Sequence, residues 1–94
     1  MTKQEILSTE RKFIKSSRFE ANIEKYGYDS NTCKCCGKPL NDKTNAVITI
    51  EGPMVIEAHI TEEQIDAAGL VSQGVFYLGS NCIKKYPKKY RIKI

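Results

Sequence analysis

Four cysteines and a single histidine hold most of the chemical capacity of this 94-residue chain. Cys33 and Cys36 stand in the run Cys33-Lys34-Cys35-Cys36-Gly37-Lys38-Pro39-Leu40, and Cys82 follows in Gly79-Ser80-Asn81-Cys82-Ile83-Lys84-Lys85. A Cys-x-x-Cys-Gly turn curls two thiolates onto one point, about 2.3 Å from a zinc ion when one is bound. Gly37 permits the positive φ that lets amides turn toward sulfur. Cys82 opens a short predicted helix, whose N-terminus favours a thiolate. The three thiolates predict a structural zinc site tying two distant parts of the chain together. A tetrahedral ion needs one more donor. His59, at the end of a predicted strand, is the preferred fourth ligand and Cys35 the alternative, with water or a carboxylate also open. A disulfide framework is the competing use of four cysteines, but Met1-Thr2-Lys3-Gln4-Glu5 lacks the apolar stretch of a secretory signal.

Other chemistry is poorly provided for. One histidine cannot serve both a nucleophile and a metal, so no nucleophile, base and orienting group can be assembled. Glu62, Glu63 and Asp66 cluster on a predicted helix as a solvated face, and no glycine-rich phosphate loop is present. No catalytic residues are assigned, no small-molecule substrate is evident, and the chain is expected not to be an enzyme.

The elements that must position the cysteines are marked by caps and turns. Thr2 with Glu5, Ser17 with Glu20, and Thr61 with Gln64 each fit a capping box. Ile6, Leu7, Phe13, Ile14 and Ala21 share one helical face, whereas Phe19, Ile23 and Tyr26 share nearly the opposite one. Two amphipathic helices, over 3–15 and 18–26, account for that switch. Residues 47–50 and 54–58 are predicted strands joined at Glu51-Gly52-Pro53. A helix begins at Glu62 and ends at Gly69, residues 75–78 form a third strand, Ser80 caps the Cys82 helix, and Pro87 stops it. Residues 90–94 alternate and form an edge strand. Knuckle, hairpin and a ligand at a helix start together predict an α+β, zinc-stabilised, treble-clef-like domain preceded by two helices. The whole chain, 1–94, is read as a single domain: a helical segment over 1–28, a zinc-binding core over 29–86 and a basic tail over 87–94.

Size and charge narrow the partners. Forty per cent hydrophobic residues and no tryptophan give a thin core, which a metal would support. No apolar run approaches the ~20 residues of a membrane span, and reduced clustered thiols point to the cytoplasm. The net charge of +4 is a property of one end: residues 84–94 hold six basic residues and no acid. Lys84, Lys85, Lys88, Lys89, Tyr90, Arg91 and Lys93 are therefore the predicted nucleic-acid contacts, lysines on phosphates and tyrosines stacked on bases. Residues 29–83 hold seven acids against three lysines, an electronegative stretch suited to opposing a basic channel in another protein.

Two families are similar in part. Residues 33–40 and 79–85 resemble the two motifs of short phage- and plasmid-encoded zinc domains, Cys-x-x-Cys-Gly-Lys/Arg-Pro-Leu and Gly-x-x-Cys-x-x-Lys. That resemblance implies zinc binding and a mobile-element origin. The host partner would then be nucleic acid, or a polymerase or CRISPR nuclease that the protein inhibits by contact. Residues 57–60 and 75–83 are similar to the HNH nuclease fold, which implies a degenerate nuclease with His59 at the general-base position. Gly79 stands where that family has a zinc cysteine and Ile83 where it has a metal histidine, so the family's two-histidine cleavage chemistry cannot be assembled here.

Overall fold

A computed structural model describes residues 1–93; Ile94, at the end of the predicted last strand, lies outside the described residues. Asn45-Ala46-Val47-Ile48-Thr49-Ile50 forms the central strand. Its near-continuous apolar run is explained by burial on both faces, since Ala46, Val47, Thr49 and Ile50 are all inaccessible or nearly so. In chain order the elements are α1 (Lys3–Leu7), β1 (Arg11–Lys12), α2 (Phe19–Tyr26), β2 (Asn45–Ile50), β3 (Met54–Ile56), α3 (Glu62–Ala67), β4 (Ser72–Tyr77) and β5 (Arg91–Lys93). Single 3₁₀ turns lie at Ile83–Lys85 and Lys88–Tyr90. All strand pairings among the described residues are antiparallel, in the order β1-β3-β2-β4, with β5 added to the first half of β2. The architecture is α+β, a curled sheet with three short α-helices among the described residues.

The strand register sorts the core into two layers. Ile48 pairs with Ile56 and Ile50 with Met54, and this face packs with Ile6 of α1, Ile60 and Ile65 of α3. Thr49 pairs with Val55, and the opposite face joins Val47 and Val55 to Phe13, Leu78, Ile83, Tyr86, Tyr90 and the cysteines. The cysteines thus sit in the second layer, between the sheet and the two ends of the chain.

Two of the three capping boxes form as expected, at Thr2/Glu5 and Thr61/Gln64, and Gly69 follows α3 with φ of 75°. The N-terminal segment departs from the helical expectation. A helix over 3–15 is replaced by α1 ending at Leu7, because Ser8 and Thr9 hydroxyls donate back to the carbonyls of Glu5 and Ile6 at 2.7 and 2.8 Å. The chain then extends, pairs Arg11 with Val55 and Lys12 with Met54, and drops Phe13 into the core against Phe76 and Tyr86. Long-range strand pairing outweighs local helical periodicity there. The expected Ser17/Glu20 box is also absent: α2 starts after Arg18 without a side-chain cap, and Ser16 Oγ takes the Arg18 amide at 3.2 Å. Ser80 does not cap a helix at Cys82 either; Cys82 itself precedes a single 3₁₀ turn.

α2 lies directly against the knuckle. Gly37 has φ of 80°, and a Cβ built there would stand 2.7 Å from the carbonyl oxygen of Phe19. Gly37→Ala should therefore cost about 1–3 kcal/mol in chemical denaturation. Gly69→Ala, with φ of 75° and nothing within 4 Å, should carry only the left-handed backbone cost of about 1 kcal/mol. Equal losses for the two would show that the close approach of α2 contributes nothing.

Candidate metal centre

The knuckle is a tight loop closed at its base by the bridge between Thr32 and Pro39. Cys33 N–H donates to the Lys38 carbonyl and Gly37 N–H to the Cys33 carbonyl, both at 2.9 Å, which folds residues 33–38 into a turn. Lys34 N–H reaches the Tyr77 carbonyl at 3.2 Å, so the knuckle hangs from the end of β4. The chain leaving β4 carries Cys82 back over that turn, with Ile83 N–H bonded to the Gly79 carbonyl at 3.0 Å.

This arrangement brings Cys33, Cys36 and Cys82 together, with their Sγ atoms all within 4.8 Å of one another. Cys33 is fully buried, Cys82 nearly so, and Cys36 partly open. The four cysteines are unpaired thiols, not a disulfide framework. Gly79 contributes an amide: its N–H donates to Cys33 Sγ at 3.3 Å. Burial alone would raise the Cys33 thiol, but the amides of Cys36, Gly79 and Cys35 aimed at its sulfur bring it below the ordinary thiol range. Cys82 is pushed far up by burial, then by the charge on Cys33 and by Cys35 nearby. One thiolate is thus favoured, and a second beside it is disfavoured unless a cation lies between them. Three sulfurs at this spacing fit a soft divalent metal.

Neither candidate for a fourth ligand joins the three sulfurs at that spacing. Cys35 is buried, but its thiol faces the Ile14 carbonyl at 3.7 Å and accepts from Lys85 Nζ at 3.3 Å. Of the adjacent pair, Cys36 joins the three-sulfur group and Cys35 does not. His59 sits outside the sulfur group, 62 % exposed, with Nε2 3.7 Å from Glu57 Oε2. β3 ends at Ile56 and the chain turns outward before His59, so the predicted strand end does not deliver the imidazole to the knuckle.

The predicted nucleic-acid contacts divide in two. Lys84, Lys85, Lys88, Lys89 and Lys93 are exposed along the C-terminal edge. Tyr90 is a correction: it is 3 % exposed, its hydroxyl donates to the Thr9 carbonyl, and Arg11 and Lys89 cover its ring. Tyr86 is buried as well, so neither ring is offered to a base. Arg91 is half-buried and spends Nε on the Tyr86 carbonyl at 2.8 Å. The alternation read over residues 90–94 was the signal that could have turned Tyr90 inward. Sequence reasoning missed Arg11 and Lys12, which share a groove with Lys85 and enlarge the basic edge from the other end of the chain.

Scans against family models, curated proteins and solved structures each found no match for this chain.

Purified protein titrated with a divalent soft metal should bind one equivalent, and Cys33→Ser, Cys36→Ser or Cys82→Ser should each lower the affinity at least tenfold. His59→Ala should leave it unchanged. Because Cys82 must lose a proton that its surroundings hold tightly, apparent affinity should weaken as pH falls, by roughly tenfold per pH unit for each proton displaced. Affinity independent of pH between about 6 and 8 would contradict thiolate ligation.

Proposed function

We propose that this chain is a non-catalytic binding module in which zinc, held by Cys33, Cys36 and Cys82, stabilises a treble-clef-like core, and whose basic C-terminal edge contacts nucleic-acid phosphates. The three converging sulfurs carry the zinc reading, and the order of knuckle, β2–β3 hairpin and Cys82 before a 3₁₀ turn supports the treble-clef description. Structural zinc contributes about 10–16 kcal/mol in small domains, comparable with the whole ~5–15 kcal/mol net stability of a domain. A chelator should therefore abolish the cooperative thermal transition and reduce the strand signal in far-UV circular dichroism. An unchanged melt after complete metal removal would rule out a structural ion.

The exposed lysines support the nucleic-acid reading. Lys84, Lys88, Lys89 and Lys93 are exposed, and Arg11, Lys12 and Lys85 line one groove. With Tyr86 and Tyr90 in the core, affinity would come from phosphate contacts and counterion release, with little base preference. Binding to short DNA and RNA should fall steeply with salt. A Lys84, Lys85, Lys88 and Lys89 quadruple glutamine variant should flatten the salt slope by about three to four units. No binding at low salt, or an unaltered slope in the variant, would remove this reading.

A second reading rests on β4, the last strand in the sheet order, whose Val75 and the preceding Val71 are 39 % and 57 % exposed. An open, apolar edge can accept a strand from a partner protein. Exposed Glu62, Glu63 and Asp66 on α3 would complement a basic channel in a nucleic-acid-handling enzyme of the host cytoplasm. This inhibitor reading predicts nuclease-resistant co-purification with such an enzyme, lost on Val75→Lys; the nucleic-acid reading predicts that nuclease treatment releases any captured protein.

A further inference from the structure

Cys33, Cys36 and Cys82 all line one cleft of about 540 Å³, and Cys35 does not. The cleft runs between the start of α2, the arm of the knuckle and the chain that follows β4. Three sulfurs provide three corners of a tetrahedron, and among the described residues no other Cys, His, Asp or Glu joins their group. Cys35 lies near Cys82 but outside the three-sulfur group, its thiol engaged by the Ile14 carbonyl and the Lys85 ammonium, and His59 is paired with Glu57 beyond the end of β3. Asp42 reaches the same cleft, but its carboxylate accepts from the Thr44 hydroxyl at 3.0 Å and stays at the exposed rim. Arg18 and Lys38 stand on that rim with it, leaving the mouth net positive.

We infer that the metal centre takes its fourth ligand from outside the chain, and that this ligand is a small thiolate carrying a carboxylate. The inference rests on the zinc reading given above. Three thiolates around a divalent zinc leave the centre with one negative charge and a preference for soft donors, so sulfur is the favoured fourth atom. The same charge weakens the metal's hold on the electrons of a bound water, which suits ligand exchange more than water activation. A thiol entering the cleft loses its proton to solvent, and its sulfur lone pair forms the new coordinate bond as the water in the fourth position leaves to solvent. Arg18 and Lys38 are placed to pair with a carboxylate on the tail, which a neutral thiol lacks.

Cobalt(II) substituted for zinc, in protein purified with a phosphine reductant, reports the ligand count directly. Titration with mercaptoacetate should strengthen the sulfur-to-cobalt charge-transfer band and shift the visible bands, saturably. 2-Mercaptoethanol should produce the same spectral change at severalfold higher concentration. An Arg18→Ala, Lys38→Ala double variant should remove that difference while retaining cobalt. A spectrum that already shows four sulfurs, ignores both thiols and loses intensity in Cys35→Ser would overturn the inference and make Cys35 the fourth ligand. A four-sulfur spectrum that appears only in a dimer on size exclusion would overturn it in favour of a second copy. Failure to bind cobalt or zinc at all would overturn the metal centre itself, a result distinct from both.

Discussion

Cys33, Cys36 and Cys82 cannot all ionise within 4.8 Å of one another unless positive charge lies among them. Everything around the knuckle bears on that constraint. Amides from Cys36, Gly79 and Cys35 turn toward Cys33 and favour its thiolate, while burial and the neighbouring charge oppose ionisation of Cys82. A divalent ion held by the three sulfurs would relieve the conflict and join two segments separated by most of the sheet. Without it, Cys82 keeps its proton and no disulfide holds the Cys82 segment to the knuckle.

The N-terminal segment is part of the support for this centre. Ser16 N–H donates to the Cys35 carbonyl at 2.9 Å, Asn22 Nδ2 to the Cys36 carbonyl at 2.7 Å, and the Cys35 thiol faces Ile14. Residues 14–22 thereby satisfy the outward polar groups of the knuckle, and the missing side chain at Gly37 lets α2 approach closely enough to do so. The C-terminal segment is equally integrated. Tyr86 and Tyr90 are buried in the second core layer, and Lys85 places its ammonium on Cys35 beside the sulfur group. The Cys35 contact raises the affinity of Lys85 for its proton, so its charge is retained where it is needed. A basic stretch that looks like a solvated tail is, in space, one wall of the core with its cations turned outward.

The sheet explains how so short a chain can hold two core layers. Burial of β2 on both faces lets a single strand serve Ile6 and Ile65 on one side and Phe13, Val55 and Tyr86 on the other. No helix among the described residues is long and apolar enough to cross a membrane. The helices are too short to be stable alone, so their order depends on packing against this sheet.

The identity of the clustered cysteines was legible in sequence because a Cys-x-x-Cys-Gly turn is a local geometry, set by a few dihedral angles and one residue tolerant of positive φ. The two capping boxes and the β2–β3 hairpin were legible for the same reason, each being decided within four or five residues. The extended course of Arg11 and Lys12, the inward turn of Tyr90, the exposure of His59 and the cleft shared by Arg18, Lys38 and the sulfurs were not. Each depends on a partner 40 or more residues away, or on the direction a chain takes after leaving a strand. Local pattern determines which residues are able to bind, cap or turn; long-range pairing, which competes with helical propensity and alone sets direction in space, determined which of them meet.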